Sequence, residues 1–249
     1  MTRLASLLGL IRSAMIYMAR PDLVRAQARF YAELLPKGAL AFDVGAHLGS
    51  RTRALRRAGL RVVALEPQKP FWHVLRATLP RDVVVLRSAA GAAPGQATLF
   101  VSPRYPTVST LSSGFQQDVA SLPTFQPVRW SAKQQTEVTT LDALSKTYGL
   151  PTYIKIDVEG HEAEVLAGLS VAVSYISIEV IPGLTERATL ALDRINALGA
   201  YRFNVARGEE GAFVFDDWTD RASLDQWIGA LQAGDKPCDV YARLDTGDA

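Results

Sequence analysis

Cysteine is nearly absent from this chain: 249 residues hold one, Cys238. No intrachain disulfide can form, which is compatible with a reducing compartment. A zinc site built on several thiolates is excluded as well. Cys238 sits in Asp235-Lys-Pro-Cys-Asp239 without a neighbouring histidine, so a structural role is expected for it. Charge of one sign is also lacking, because 27 Lys and Arg face 25 Asp and Glu, a net +2. That balance gives no electrostatic case for a nucleic-acid partner. The small basic cluster Arg51, Arg53, Arg56 and Arg57 reads as the solvated face of a helix.

Long apolar runs are missing too. The richest, Leu4 to Met18, is interrupted by Arg12 and ended by Arg20-Pro21. It is too short to span a bilayer. Leu4, Leu7, Leu8, Ile11, Met15 and Met18 recur at spacings of three and four, which is one stripe of a helix. Such a stripe is expected to pack on the domain or on a second subunit, making a homo-oligomer, with peripheral membrane contact left open. The chain is accordingly expected to be cytoplasmic.

What is present is an α/β rhythm. Residues 1–36 read as an N-terminal helical segment, whose second helix opens at Pro21, and Pro36-Lys-Gly38 breaks the pattern. From residue 37 to 249, short apolar strands alternate with helices. Strands are expected at Leu40–Val44, Arg61–Leu65, Val83–Arg87, Tyr153–Ile156 and Tyr175–Val180. Helices are expected at Ser50–Ala58, Phe71–Thr78, Glu162–Leu169 and Thr185–Leu198. Continuous apolar strands joined by crossover helices predict a parallel sheet covered on both faces. Tyr201–Val205 and Ala212–Phe215 are expected to close it as a hairpin. Short strands at Ala97–Val101 and Thr136–Thr140 flank a Ser-, Pro- and Gln-rich loop insertion, 102–135. A loop of that length predicts a substrate lid.

Two clusters carry chemistry. The first is Asp43-Val-Gly45-Ala-His47-Leu-Gly49, followed by a strand that ends on Glu66. Glycines let a backbone approach a ligand, and a strand-end acid can accept both ribose hydroxyls. A dinucleotide turn would read G-x-G-x-x-G, but His47 stands at the middle glycine and would crowd a pyrophosphate. Asp43 would repel it. An acid beside the turn suits a cationic ligand, and S-adenosylmethionine bears a sulfonium, an ammonium group and no phosphate. The second cluster is Lys155, Asp157, Glu159, His161 and Glu162, after the strand Tyr153–Ile156, with Glu179 ending the next strand. Ligands of open parallel sheets bind at this rim. Lys155 and Asp157 lie two apart on a strand and share a face. Glu162 and Glu164 also suit a helix N-terminus.

These residues resemble the FkbM-type methyltransferases, within the class I S-adenosylmethionine-dependent fold. The resemblance runs from Ala41 to Val180. It rests on Phe42–Gly49, the strand end Val-Ala-Leu-Glu66-Pro67, Ala92–Phe100, Val138–Leu144 and Ile154–Gly168. It implies a Rossmann-like, mostly parallel seven-stranded sheet with helices on both faces, in which the strands ending at Asp157 and Glu179 are neighbours. It implies that Asp43, Gly45 and Gly49 line the methionine end of the donor, beside His47, with Asp157 on the same rim, and that Glu66 holds the ribose. Where many class I enzymes use an acid or amide for adenine, this chain reads Arg87-Ser-Ala-Ala90, leaving Ser88 or backbone groups. Family members commonly methylate hydroxyls of sugars or specialised metabolites, so a small-molecule hydroxyl acceptor is expected. Proton removal has two routes. A base could be His161, Asp157 or Glu159, or a divalent ion such as Mg2+ could bind Asp157, Glu179 and Glu159. A nicotinamide-dependent oxidoreductase and a non-catalytic donor-binding subunit are the alternatives.

Overall fold

Leu40–Val44 (β1) is buried along its whole length, and the sheet grows outward from it. The computed structural model describes residues 20–208 and 211–247. The apolar stripe of residues 4–18 lies outside them. Pro21–Leu34 forms α1, with proline in its first turn. Then follow Ser50–Arg57 (α2), Arg61–Leu65 (β2), Lys69–Thr78 (α3) and Val84–Leu86 (β3). The chain continues through Ser88–Ala90 (β4), Gly95–Val101 (β5), Ser113–Asp118 (α4), Ala132–Thr139 (β6) and Leu141–Tyr148 (α5). Tyr153–Ile156 (β7), Glu162–Leu166 (α6), Tyr175–Val180 (β8) and Thr185–Leu198 (α7) come next. Tyr201–Arg207 (β9), Arg221–Gly229 (α8) and Cys238–Leu244 (β10) complete it.

Seven strands form one sheet in the order β3-β2-β1-β7-β8-β10-β9. All pairings from β3 to β8 are parallel, and β10 runs antiparallel to both its neighbours. This is the mostly parallel α/β architecture expected, with β7 and β8 adjacent. Strand alternation divides the interior in two. Leu40, Phe42 and Val44 join one core with Ile154, Ile176 and Leu192. Ala41 faces the other, with Val62, Tyr153, Tyr241 and Tyr31 of α1.

The expected closing hairpin is not formed. Phe213 makes a single bridge to Ala206, and no strand covers Ala212–Phe215. β10 takes the place between β8 and β9 instead. Its partners supply six and seven paired residues, which a single bridge cannot match. The antiparallel sense matters: the beginning of β10 arrives at the rim where the parallel strands end. β3 is short because the chain turns at Arg87 and β4 peels away into a second sheet, β4-β6-β5. Between β5 and β6 the insertion contains α4 and three 3-10 turns, whose Phe115, Val119 and Leu122 form a small core with Leu184 from beyond β8. Among the described residues no helix is long and apolar enough to cross a membrane.

Candidate active site

A cleft of about 370 Å³ opens along the carboxyl rim of the sheet, which is enough for a small ligand. Gly45 and His47 lie in the turn after β1, both in the left-handed region at φ 87° and 47°. Gly45 is obligatory there, since a Cβ would lie 1.9 Å from the Asp157 carbonyl oxygen. Both residues line the cleft. Burial lowers the His47 pKa to about 4, so the ring is neutral. It packs against Phe71 with ring centroids 4.3 Å apart.

Glu66, at the end of β2, is 2% exposed and lines the same cleft. Its Oε2 accepts the His47 N–H at 2.8 Å and its Oε1 the Gln68 N–H at 2.7 Å. Each oxygen keeps a lone pair for a ligand hydroxyl. Burial pushes this carboxyl up to about 7, against those two N–H groups. The arrangement fits a nucleoside: glycine backbone at one side, an acceptor-only group at ribose depth, and no arginine or lysine in the turn to meet a phosphate.

Asp43 and Gly49 do not line the cleft. Asp43 is fully buried beneath it, accepting from the Thr52 hydroxyl at 2.5 Å, with Lys155 Nζ 3.8 Å away. The sheet register explains this, because Asp43 pairs with Lys155 and points to the same face. Gly49 caps α2. Ser88 does line the cleft, at the start of β4.

The second cluster assembles on the same rim, with the Asp157 backbone against Gly45. Asp157, Glu159, His161 and Glu179 all face the cleft. One carboxylate oxygen from each of Asp157, Glu159 and Glu179 lies within 4.8 Å of the others, and these three could hold a hard cation. Lys155 Nζ sits 2.9 Å from Asp157 Oδ2. Burial alone would lower the lysine pKa, but Asp157, Asp43 and Asp239 outweigh it, so the ammonium stays charged. Burial, then the negative charge of Asp157, raises the pKa of both Glu159 and Glu179. Burial lowers that of His161, whose Nδ1 lies 3.6 Å from Glu164. Glu162 turns back on its own loop, accepting N–H bonds from Val158 and Gly160 at 3.2 and 3.1 Å.

Several cleft residues were not expected from the sequence. Asp239, at the start of β10, registers beside Glu179 and binds Arg51 at 2.7 Å. Arg51 is therefore a half-buried ion-pair partner rather than part of a solvated face. Arg53 also folds back, onto the Leu48 carbonyl and Thr78. Gln27 of α1 and Leu99 of β5 line the cleft as well, and Thr107 and Ser109 belong to the insertion expected to face a substrate. No local motif marks them, because only tertiary packing brings them to the rim.

A model of the family described as "Methyltransferase FkbM domain" matches residues 43–219. Among solved structures the chain is similar to a TehB-like SAM-dependent methyltransferase from Corynebacterium glutamicum. The TM-score is 0.50 at 10% identity, covering 94% of this chain and 97% of that one. It is similar to precorrin-6y C5,15-methyltransferase from Geobacter metallireducens, at TM-score 0.45 and 14% identity over 88% and 86% of the two chains. An O-methyltransferase from Bacillus cereus, solved with SAH, gives TM-score 0.43 and 12% identity over 95% and 90%. No curated protein matches in sequence.

Proposed function

The chain belongs to the FkbM family of S-adenosylmethionine-dependent methyltransferases, and from that premise we propose that it methylates a hydroxyl oxygen of a small molecule, a sugar or a specialised metabolite. The observation that carries this reading is the group of three carboxylates within 4.8 Å of one another on the rim of the cleft. Such a group can accept several hydroxyl hydrogens at once and take one away.

S-adenosylmethionine supplies an electrophilic methyl on a cationic sulfur, open to in-line attack. The chain's residues then have three tasks. Glu66 accepts the ribose hydroxyls, and the Gly45–His47 backbone borders the methionine end, with Asp43 acting from beneath through Lys155. Ser88 meets the adenine. Glu159 and Glu179 orient the acceptor, and positioning supplies much of the rate. Asp157 or neutral His161 takes the hydroxyl proton as attack proceeds. An all-oxygen set also suits Mg2+, but Lys155 already occupies one oxygen of Asp157, which favours the metal-free route.

Calorimetry with S-adenosylmethionine tests the premise: saturable binding is expected, and no binding at millimolar donor sinks it. Transfer of a labelled methyl to a panel of sugars and glycosides, read by NMR, tests the acceptor. A new O–CH3 signal is expected, and methyl on nitrogen or carbon overturns the oxygen assignment. Titration with MgCl2 alone should release no heat.

A further inference from the structure

Charge is balanced over the chain but not along it. Residues 1–87 hold fifteen Lys and Arg against five Asp and Glu, and residues 88–249 hold twelve against twenty. Between Asp82 and Glu137 the only acid in the sequence is Asp118, and Arg187 takes it at 2.6 Å. The fold brings the cations of this stretch to one end of the sheet. Lys69 opens α3 shortly after β2 ends, and Arg87 follows the end of β3, so both stand at the carboxyl rim. Lys69 donates its N–H to Gln134 Oε1 at 3.3 Å, which places Lys133 of β6 nearby. Gln68 donates to the Pro106 carbonyl at 3.0 Å, two residues from Arg104. Arg87 lies over the ring of Trp72, one turn along α3 from Lys69. Lys69, Arg87, Arg104 and Lys133 are all exposed, and none has an acidic partner among the described residues.

The acids of the same rim are turned inward. Glu66, Glu162 and Asp239 are buried, and Asp157, Glu159 and Glu179 face the cleft. The outer surface around the ends of β2 and β3 is therefore positive. α1 leads to the amino end of β1, so its first turn stands at the rim too, and Gln27, midway along it, lines the cleft. The chain enters α1 from residues 1–19, which lie outside the described residues. Their sequence holds the apolar series from Leu4 to Met18 with Arg3 and Arg12 and no acid. Cations beside apolar side chains suit the boundary between lipid headgroups and acyl chains. A nucleic acid would match the cations and leave the apolar series without a partner.

We propose that this part of the rim, beside the mouth of the cleft, is a docking face for an anionic lipid surface. Lys69, Arg87, Arg104 and Lys133 meet the lipid phosphates, and the apolar series before α1 enters the boundary beneath them. The chain lies on the bilayer through this face, with no described helix long and apolar enough to cross it. The proposal is independent of the methyl-transfer reading.

Co-sedimentation of the full chain with phosphatidylcholine vesicles, and with vesicles of about one third phosphatidylglycerol, is the test. At about 0.1 M NaCl, where charges act over about 10 Å, the chain should pellet with the anionic vesicles and not with the neutral ones. Arg104→Gln combined with Lys133→Gln should weaken that binding about 25-fold, roughly five-fold for each charge removed. Lys69→Gln alone should weaken it about five-fold. Thermal unfolding of these variants should match the parent, which separates docking from folding. Leu7→Gln combined with Ile11→Gln should weaken binding by at least about ten-fold through lost apolar burial. The proposal is overturned if the parent ignores the anionic vesicles, if it binds neutral vesicles equally well, or if the charge variants bind within two-fold of the parent. A labelled single-stranded RNA serves as the second probe: RNA bound without vesicle binding would assign the face to nucleic acid instead.

Discussion

At the scale of single residues, the donor end turns on one backbone approach and one buried acid. Gly45→Ala should be severe twice over: φ is 87° and the new Cβ would sit 1.9 Å from the Asp157 carbonyl oxygen. We expect a loss of about 2 kcal/mol or more, read as a lower urea midpoint. Glu66 makes a pH prediction. Its carboxyl has an ordinary value of 4.5, and burial lifts it to about 7 in the folded chain. The folded state thus holds this proton more tightly, so the contribution to stability is present below pH 4.5 and lost as pH rises to about 7. Ribose hydroxyls want the ionised form, so ligand affinity must run the other way. Affinity for S-adenosylhomocysteine should rise up to ten-fold per pH unit below about 7 and level off above it. A flat calorimetric profile between pH 5.5 and 8.5 would remove Glu66 from the ribose. Asp157→Asn should abolish methyl transfer while sparing donor affinity, and normal turnover would take Asp157 out of the chemistry.

At the scale of elements, the insertion is tied to the rim at several points. Thr110 pairs with Phe100 of β5 through both backbone groups, and its hydroxyl donates to the Glu159 carbonyl at 2.8 Å. Arg187 of α7 holds the next carbonyl, of Gly160, at 2.7 Å and pairs with Asp118 at 2.6 Å. Phe115 packs so closely on Gly160 that a Cβ there would meet its ring at 2.3 Å. Glu159 has φ 57°, a conformation that needs such support. Thr110→Val should therefore cost about 1 kcal/mol. Hydrogen exchange should accelerate at residues 157–162, with S-adenosylhomocysteine affinity within two-fold of the parent. Unchanged exchange would mean the corner holds itself. How legible these elements were follows from where their partners lie. β1, β2, β7 and β8 are short apolar runs between turn residues, and both ends of each were readable. β10 alternates Asp239, Tyr241 and Arg243 with Val240 and Ala242, and nothing local tells that it sits mid-sheet. Ala212–Phe215 is more apolar yet forms no strand, because pairing depends on partners and not on hydropathy. In the site, Asp157, Glu159, His161 and Glu179 were visible as strand-end polar groups. The depth of Asp43 was not, since a strand-end acid looks the same whether it meets ligand or a buried lysine.

At the scale of the whole molecule, the cleft exists only once distant segments have met. β10 brings Asp239 to a rim built by β1, β2, β7 and β8, and Arg51 of α2 meets it there at 2.7 Å. Their side chains are 15% and 11% exposed. A pair this buried is weak evidence for net stability, because two charges were taken out of water to make it. Breaking it from one side is different, as the remaining charge stays buried without its partner. Asp239→Asn should cost about 3 kcal/mol in urea unfolding, well beyond the few tenths of an exposed pair. Arg51→Met combined with Asp239→Leu should recover much of that loss, since apolar groups of similar volume need no desolvation repaid. The two single losses should not sum in the double variant, which is the signature of a direct pair. If Asp239→Asn unfolds at the parental urea concentration, the pair does not join β10 to the front of the sheet. The closing strand would then be held by its backbone ladder to β8 and β9 and by the apolar faces of Val240 and Tyr241 alone.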